Sequence, residues 1–470
     1  MTSLPNPSED TGLRHSLKQR HMSMIALGGV IGAGLFVGSK VVIASAGPAA
    51  VISFLITGLL VVLVMKMLGE MAVAMPRTGS FYEYARLALG DLAGFLTGWM
   101  YWYFWVIVVA IEAVAGAELI RTWLPGLPLW SISLGLMLIL TLSNFVSVKS
   151  YGEIEFWFAS IKVTMILVFL LLGSCYVLGF WPGTGGVLTP GFANLTAHGG
   201  FMPHGLAPVL SGAVAATGFY FGAEVVTIAA AEAKEPGKAV AKATNSVITR
   251  VLVFYVGSVL LVVTILPWNA PEMAAPYVSA MTVMGVPAAA QIMKLVILTA
   301  VLSALNSGLY ASSRMIFALT REGDAPAGLA KLNGKGVPVR AILFSTIFGY
   351  AAVVMAYMSP DMVFAFLVNS YGTVALFVYL FIAISQVKLR RRLEGEGRLP
   401  GDARMWAFPW LSYVAVAGMI GVLAAMAFIP DQRLPLAMGL ASLLFALGAY
   451  QIRHWNRSSA EDLDQPCIFE

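Results

Sequence analysis

The chain is poor in charged residues. Only 11% of its 470 residues are Asp, Glu, Lys or Arg, and 59% are hydrophobic, whereas an ordinary soluble protein carries roughly 25% charged residues. Such a chain cannot bury its apolar side chains inside water-soluble domains of normal size. Because a bilayer-spanning helix needs about 20 apolar residues, the composition predicts an all-helical integral membrane protein.

Cysteine and histidine are also scarce. The two cysteines, Cys175 and Cys467, exclude a disulfide framework. None of the five histidines lies at the centre of an apolar run or in a cluster with metal-ligand spacing. We therefore expect no metal site and no cofactor.

Motifs for nucleotide chemistry and for catalysis are missing as well. The sequence contains no GxxxxGK[ST] loop for nucleotide phosphates, so a carrier of this sequence would draw its energy from an ion gradient. No convergent nucleophile, base and metal ligands are visible, and an enzyme is not predicted. The net charge is +5. Most of the lysines and arginines lie between the apolar runs, so this charge does not indicate a nucleic-acid partner. No obligatory protein partner is predicted either.

Apolar runs divide the sequence into twelve predicted membrane spans. Windows of about 19 residues place them at 22–44, 48–74, 92–120, 127–146, 156–180, 206–231, 244–266, 287–319, 339–358, 361–386, 406–429 and 433–453. The segments outside them predict a cytoplasmic N-terminal segment at 1–21, one membrane domain at 22–453 and a cytoplasmic tail at 454–470.

The positions of lysine and arginine predict the orientation. Of the 29 such residues, 21 lie in segments on the same side of the membrane as the N-terminus, 3 lie in segments on the opposite side, and 5 lie within the predicted spans. Cytoplasmic loops carry the excess of lysine and arginine. We therefore expect both termini in the cytoplasm and an even number of spans.

Two of the predicted spans contain glycine-rich stretches that disfavour a continuous helix. The first reads GGVIGAGLFVG over 28–38, and the sixth reads TGFYFGAE over 217–224. Close helix packing explains the first stretch equally well. Interruptions at matching positions of two repeats, however, point to a transporter binding site. Such a break exposes N–H groups and carbonyls that complement the carboxylate and ammonium groups of a zwitterion.

Lys162 interrupts the apolar fifth span. Either its side chain extends to the cytoplasm from the inner end of the helix, or it is buried and takes part in coupling. A lysine held among apolar groups can release its proton and regain it when water reaches it. The second possibility would suit a proton-coupled carrier.

Two acidic residues within the spans are further candidates. Glu224 lies beside the glycine stretch of the sixth span, where it has either a structural hydrogen-bonding role or a gating or proton-linked role. Glu112 lies near the middle of the third span, and a protonated interhelical hydrogen bond is favoured there.

Two further features have competing interpretations. Ser303, Asn306 and Ser307 form a polar stripe at i, i+3 and i+4 on the eighth span. Interhelical hydrogen bonding is the default interpretation, and lining of an ion path is the alternative. The run WMYWYFW at 99–105 fits aromatic packing or an interfacial belt better than a substrate cage.

Several motifs together resemble the amino-acid transporter branch of the amino acid/polyamine/organocation superfamily. They are GVIGAGLFVGS at 29–39, EMAVAMP and TGSF within 70–81, IAAAE at 228–232, ATNSV at 243–247, LPWN at 266–269 and REGDAP at 321–326. Within this superfamily the chain most closely resembles bacterial 4-aminobutyrate (GABA) permeases.

The resemblance implies a leucine-transporter-type fold with two inverted five-helix repeats, discontinuous helices 1 and 6, and two peripheral helices. The corresponding ranges are 22–180 and 206–386 for the repeats and 406–453 for the peripheral pair. It implies substrate contacts by Ile31, Gly32, Ala33 and Gly34 on helix 1, with Phe219, Tyr220, Gly222 and the nearby Glu224 on helix 6. It also places Lys162 where related carriers hold a sodium ion.

The leading hypothesis is therefore uptake of GABA with protons across the bacterial inner membrane. The partners would be a zwitterionic amino acid, a proton and the bilayer. The same mechanism acting on proline, aromatic or small neutral amino acids is the alternative. A sensor that binds an amino acid without transporting it is a weaker one.

Overall fold

The structure is a computed structural model. It describes the backbone of residues 13, 16–32, 34–77, 79–180, 191–358, 360–399, 401 and 403–463. Side chains are described for the same residues except 243, 245–251, 352, 356, 360–370 and 456–463.

α-Helices make up most of the described chain. In chain order they are α1 (Gln19–Val30), α2 (Ser39–Ala46), α3 (Ala50–Ala74), α4 (Phe81–Leu89), α5 (Asp91–Arg121), α6 (Leu129–Val146), α7 (Val148–Val177), α8 (Leu206–Ala216), α9 (Val225–Ala229), α10 (Pro236–Ile265), α11 (Pro276–Val283), α12 (Ala289–Arg321), α13 (Val339–Met358), α14 (Pro360–Gly395), α15 (Trp410–Phe428) and α16 (Pro430–Leu463). One isolated bridge joins Leu17 to Ala233, and the described residues form no strand. The all-helical class is confirmed for this part of the chain.

Many of these helices have the length and hydropathy of membrane spans. Eight described segments are long and apolar enough to cross a bilayer, judged by length and composition. Three shorter apolar helices cover Leu206–Phe219, Leu252–Ile265 and Val339–Met355. Large apolar side chains such as Phe428 and Phe445 are exposed on the outer surface. Such exposure is expected where hydrocarbon rather than water surrounds the protein.

Helices α5 and α12 pack along each other at the centre of the molecule, and α7, α13 and α14 surround them. Gly308 on α12 allows the close approach. A Cβ atom at this position would lie 2.6 Å from Val109 Cγ2 and 3.0 Å from Trp105 Cε3 on α5. The long central helices therefore provide a rigid support for the interrupted ones.

The helices are interrupted at both glycine-rich stretches. Between α1 and α2 lies a π-helical turn, Gly34–Gly38. Between α8 and α9 lie a 3-10 turn, Thr217–Phe219, and Gly222 with a φ of 114°. Only glycine adopts such a positive φ without strain. The interruptions coincide with the sequence stretches that disfavour a continuous helix.

Candidate functional site

The two interrupted segments lie directly against each other. A Cβ atom on Gly29 would collide with the carbonyl oxygen of Gly222, and one on Gly222 would collide with that of Gly29. The hydroxyl of Tyr255 on α10 lies 2.9 Å from the carbonyl oxygen of Val30 and 2.7 Å from that of Phe219. Tyr255 thus bridges a carbonyl at the end of α1 and one in the second interruption.

A small cavity of about 80 Å³ lies beside this contact. The interruptions contribute part of its wall, and α5, α12 and α14 contribute the rest. The lining residues are Gly29, Val30, Gly32, Gly34, Gly218, Phe219, Phe221, Phe104, Trp105, Val108, Ile111, Glu112, Ala304 and Tyr371. Because most of this wall is apolar side chain or glycine, polar recognition depends on backbone groups and a few side chains.

Glu112 supplies the carboxyl group in that wall. Its Oε1 would lie 3.9 Å from a Cβ atom on Gly32. Its Oε2 is buried and has no hydrogen-bond partner among the described residues. A buried acceptor without a partner is costly. A ligand that brings an ammonium group into the cavity would offset this cost.

Lys162 on α7 is fully buried and contacts the end of α1. Its Nζ donates to the carbonyl oxygens of Gly28 and Ile31, at 2.5 and 2.7 Å, and to Ser303 Oγ at 2.8 Å. An ammonium group has three N–H donors, and all three are used here. Two of them satisfy carbonyls of the last turn of α1, where the helix dipole favours a positive charge.

The contacts of Ser303 continue from Lys162 to a second carboxyl group. Ser303 Oγ donates to Glu155 Oε1 at 2.5 Å, and Asn306 Nδ2 lies 3.5 Å from Glu155 Oε2. Asn144 donates to Asn306 Oδ1 at 3.0 Å. Two members of the polar stripe predicted on the eighth span, Ser303 and Asn306, therefore face α7 and bind the buried Glu155.

Glu224 is held by hydrogen bonds on both carboxyl oxygens. Tyr101 donates to Oε1 at 3.1 Å, Tyr379 donates to Oε2 at 2.6 Å, and the N–H of Gly222 donates to Oε2 at 3.0 Å. These bonds tie the second interruption to α5 and α14. The geometry favours the structural interpretation of Glu224.

The residues expected to bind substrate take different positions. Gly32, Gly34 and Phe219 line the cavity, whereas Ile31 presents its carbonyl oxygen to Lys162. Tyr220 is buried away from the cavity, with its hydroxyl donating to the Phe54 carbonyl oxygen at 2.7 Å. Gly222 contacts the backbone of Gly29. Ala33 lies outside the described residues.

Sequence reasoning missed two residues of this region, Glu155 and Tyr255. Glu155 lies one position before the predicted fifth span and seven residues before Lys162. Residues seven apart share a helix face, so this spacing could have revealed it. For Tyr255 no local signal exists, since a tyrosine in an apolar run is usual. Within the aromatic run at 99–105, Phe104 and Trp105 line the cavity.

Comparisons with known proteins agree with this architecture. The sequence profile described as amino acid permease matches residues 21–457. The chain belongs to the amino acid permease family. Members of this family are transporters rather than enzymes, and this permease is accordingly a multi-pass membrane protein that transports amino acids.

Several curated relatives align over nearly the whole permease. It is 52% identical to a gamma-aminobutyric acid permease of Bacillus subtilis over 90% of each chain. It is 46% identical to a gamma-aminobutyric acid permease of Escherichia coli over 94% of each chain. An aromatic amino acid transport protein of Corynebacterium glutamicum is 39% identical over 88% of the permease and 90% of the relative.

A solved structure shows the same fold. It is the substrate-bound, outward-open state of a Na+-coupled sialic acid symporter. The match has a TM-score of 0.56 at 12% identity, and it covers 87% of the permease and 89% of the symporter.

Proposed function

We propose that the permease takes up GABA together with protons across the bacterial inner membrane. Two facing helix interruptions around a small cavity, with an unpartnered Glu112 carboxylate oxygen, carry this proposal. The relatives named as gamma-aminobutyric acid permeases, at 46–52% identity, support the choice of substrate.

The two ends of GABA would bind different parts of the cavity. The carboxylate would accept hydrogen bonds from N–H groups at the start of the turn Gly34–Gly38, because the first N–H groups of a half-helix lack intrahelical partners. The ammonium would lie near Glu112. The choice of GABA among amino acids rests on the relatives named as gamma-aminobutyric acid permeases.

The proposed coupling group is Lys162. When charged, it holds the carbonyls of Gly28 and Ile31 at the end of α1. Loss of its proton would remove this charge from the helix terminus, where it is favourable. Protonation would therefore bias the position of α1, which contributes to the cavity. Glu224 is proposed to steady the second interruption during this movement.

The finer architecture is part of the proposal. We infer twelve membrane-spanning segments with both termini cytoplasmic, supported by the charge distribution. Interruptions in the first and sixth predicted spans support an inverted repeat of the leucine-transporter type. The proposed boundaries are 1–21 for the N-terminal segment, 22–180 and 206–386 for the repeats, 406–453 for the peripheral helices and 454–470 for the tail.

Uptake by purified protein in liposomes tests this function. The wild-type permease should accumulate labelled GABA when the outside is acidic, and accumulation should stop when the pH gradient and membrane potential are both collapsed. Lys162→Ala should abolish accumulation, whereas Lys294→Ala, near the outer end of α12, should not. Uptake that is unchanged by collapse of both gradients would contradict proton coupling.

A second candidate is the same mechanism with another amino acid. The identity of 39% to an aromatic amino acid transport protein favours testing aromatic substrates. Unlabelled aromatic amino acids, proline and small neutral amino acids should compete more weakly than GABA. Failure of unlabelled GABA to compete would reject GABA as the substrate. Binding without accumulation would indicate a sensor.

A further inference from the structure

A buried acid, Glu155, lies next to the lysine proposed for coupling. Glu155, Lys162 and Ser303 are all fully buried. The Ser303 hydroxyl stands between the other two, 2.8 Å from Lys162 Nζ and 2.5 Å from Glu155 Oε1. The ammonium and the carboxyl group are therefore joined by a single hydroxyl relay.

The hydrogen bonds fit a charged lysine and an ionised glutamate as the starting state. Lys162 uses three N–H donors, which is the number in an ammonium group. Glu155 Oε1 accepts from Ser303, and its Oε2 faces the Asn306 amide. Asn144 donates to the oxygen of the Asn306 amide, so the NH₂ group of Asn306 points toward Glu155. Both carboxyl oxygens are thus acceptors, as in an ionised carboxylate.

We propose that Glu155 receives the proton that Lys162 releases, with the hydroxyl of Ser303 as the relay. This step deepens the proposed proton coupling and rests on it. A proton leaves Lys162 Nζ for Ser303 Oγ as the original hydroxyl proton passes to Glu155 Oε1. The products are a neutral amine, an unchanged serine and a neutral carboxylic acid, so atoms and charge balance.

The products also keep their hydrogen bonds. The neutral amine retains two N–H donors, enough for the carbonyls of Gly28 and Ile31, and its lone pair accepts from Ser303. The new carboxylic acid donates to Ser303 Oγ. Because no buried polar group in the relay loses its partners, the transfer avoids the penalty of an unsatisfied polar group.

Other titratable groups face this pair. Lys162 interacts electrostatically with Glu112 on α5 as well as with Glu155, and Tyr151 on α7 interacts with Glu155. Further along α12, Arg314 Nε lies 2.8 Å from Glu232 Oε1 in a buried ion pair. Two carboxyl groups therefore act electrostatically on Lys162, one in the cavity wall and one beyond Ser303.

The position of Glu155 gives the transfer a direction. Glu155 lies seven residues from the start of α7, and Lys162 lies seven residues deeper, about 10 Å along the helix axis. In the proposed orientation α7 starts at the cytoplasmic side. The proton therefore moves inward from the cavity, and the neutral Lys162 holds the end of α1 less strongly.

The full-length permease in liposomes tests this relay with three measurements. They are accumulation of labelled GABA under an inward proton gradient, GABA-induced proton influx reported by an internal pH dye, and counterflow exchange of GABA. Glu155→Gln retains an oxygen acceptor for Ser303 but cannot take up a proton. We expect it to keep counterflow and to lose both accumulation and proton influx.

The serine tests the relay independently. Ser303→Ala should reproduce the loss of accumulation and proton influx with counterflow retained, and Ser303→Thr should restore both. Ser160→Ala is the matched control, since Ser160 Oγ on α7 donates to its own helix at Phe156 O, 2.6 Å away.

Three outcomes separate the possibilities. Normal accumulation with proton influx in Glu155→Gln would overturn the relay. Loss of counterflow in both Glu155→Gln and Ser303→Ala would also overturn it, because the two residues would then be structural. Absence of proton-driven accumulation in the wild type would instead reject the proposed function itself.

Discussion

The backbone of Gly29 lies directly against the backbone of Gly222, each carbonyl oxygen occupying the space where a Cβ atom on the other residue would be. This contact joins the last turn of α1 to the second interruption. The cavity lies to one side of this contact.

Gly222→Ala should therefore damage the permease. Alanine at a φ of 114° is strained, at a cost of about 1–3 kcal/mol, and its Cβ would collide with Gly29 O. We expect a lower unfolding temperature in detergent and loss of GABA uptake. Gly421→Ala, on α15 with no neighbouring atom within 4 Å of the added Cβ, should leave both unchanged. Wild-type stability of Gly222→Ala would contradict the contact.

Tyr255→Phe should impair transport by separating the two interruptions. The carbonyl oxygens of Val30 and Phe219 would lose the hydroxyl between them, and a buried acceptor left unpaired costs about 1–3 kcal/mol. GABA uptake should fall. The control is Tyr277→Phe. The hydroxyl of Tyr277 contacts Ser258 Oγ on α10 at 2.8 Å, and neither residue lines the cavity. Equal uptake rates for the two variants would rule out a special role for Tyr255.

Glu112→Gln should weaken GABA binding without changing the fold. A hydrogen bond to a charged group contributes about 1.5–3 kcal/mol, so the half-saturating GABA concentration should rise roughly tenfold or more. Equilibrium binding of labelled GABA measures this directly. Glu118→Gln, six residues later on α5 and exposed, should bind as the wild type does. An unchanged affinity in Glu112→Gln would remove Glu112 from the substrate site.

Asp324 organises a charged cluster beyond the end of α12. Its carboxylate pairs with Arg86 at 3.1 Å and with Arg453, and it accepts from Tyr82 at 2.6 Å. Burial raises the pKa of the Tyr82 phenol, so this group remains a donor over the usual pH range. The cluster thereby fastens α16 to α4 and to the loop after α12.

Asp324→Asn should destabilise the permease. Breaking a buried ion pair costs about 3–5 kcal/mol, and the partial exposure of both arginines shifts the expected loss toward the lower end. Thermal unfolding in detergent measures it. Glu322→Gln removes a more exposed partner of Arg86 and should cost only about 0–1 kcal/mol. If Glu322→Gln destabilises the protein more than Asp324→Asn does, the cluster is not centred on Asp324.

Some of the candidate site follows from local sequence. Lys162 stands out because a charge within an apolar run is costly, and the glycine stretches around Gly32 and Gly222 stand out because they disfavour a continuous helix. Each of these signals depends only on neighbouring residues. The structure places Gly222 at the contact between the two interrupted segments, Gly32 in the cavity wall and Lys162 at the end of α1.

Other members could not be identified in this way. Tyr220 and Tyr255 both lie in apolar stretches, yet Tyr255 bridges the interruptions whereas Tyr220 bonds to Phe54. Which carbonyl oxygens each tyrosine reaches depends on how the helices pack: Tyr255 on α10 reaches the end of α1, whereas Tyr220 reaches α3. Glu155 resembles an acid at a helix end until Ser303, more than a hundred residues away in sequence, is placed beside it.

The sequence by itself determined that this chain is a helical membrane protein with two glycine-rich stretches that disfavour a continuous helix. Hydropathy and glycine content depend only on neighbouring residues along the chain. The tertiary structure alone decided which groups form hydrogen bonds with one another near those interruptions. Lys162, Ser303 and Glu155 come from two helices that meet only after folding. Burial then limits their donors and acceptors to one another, to Asn306 and to the carbonyl oxygens of Gly28 and Ile31.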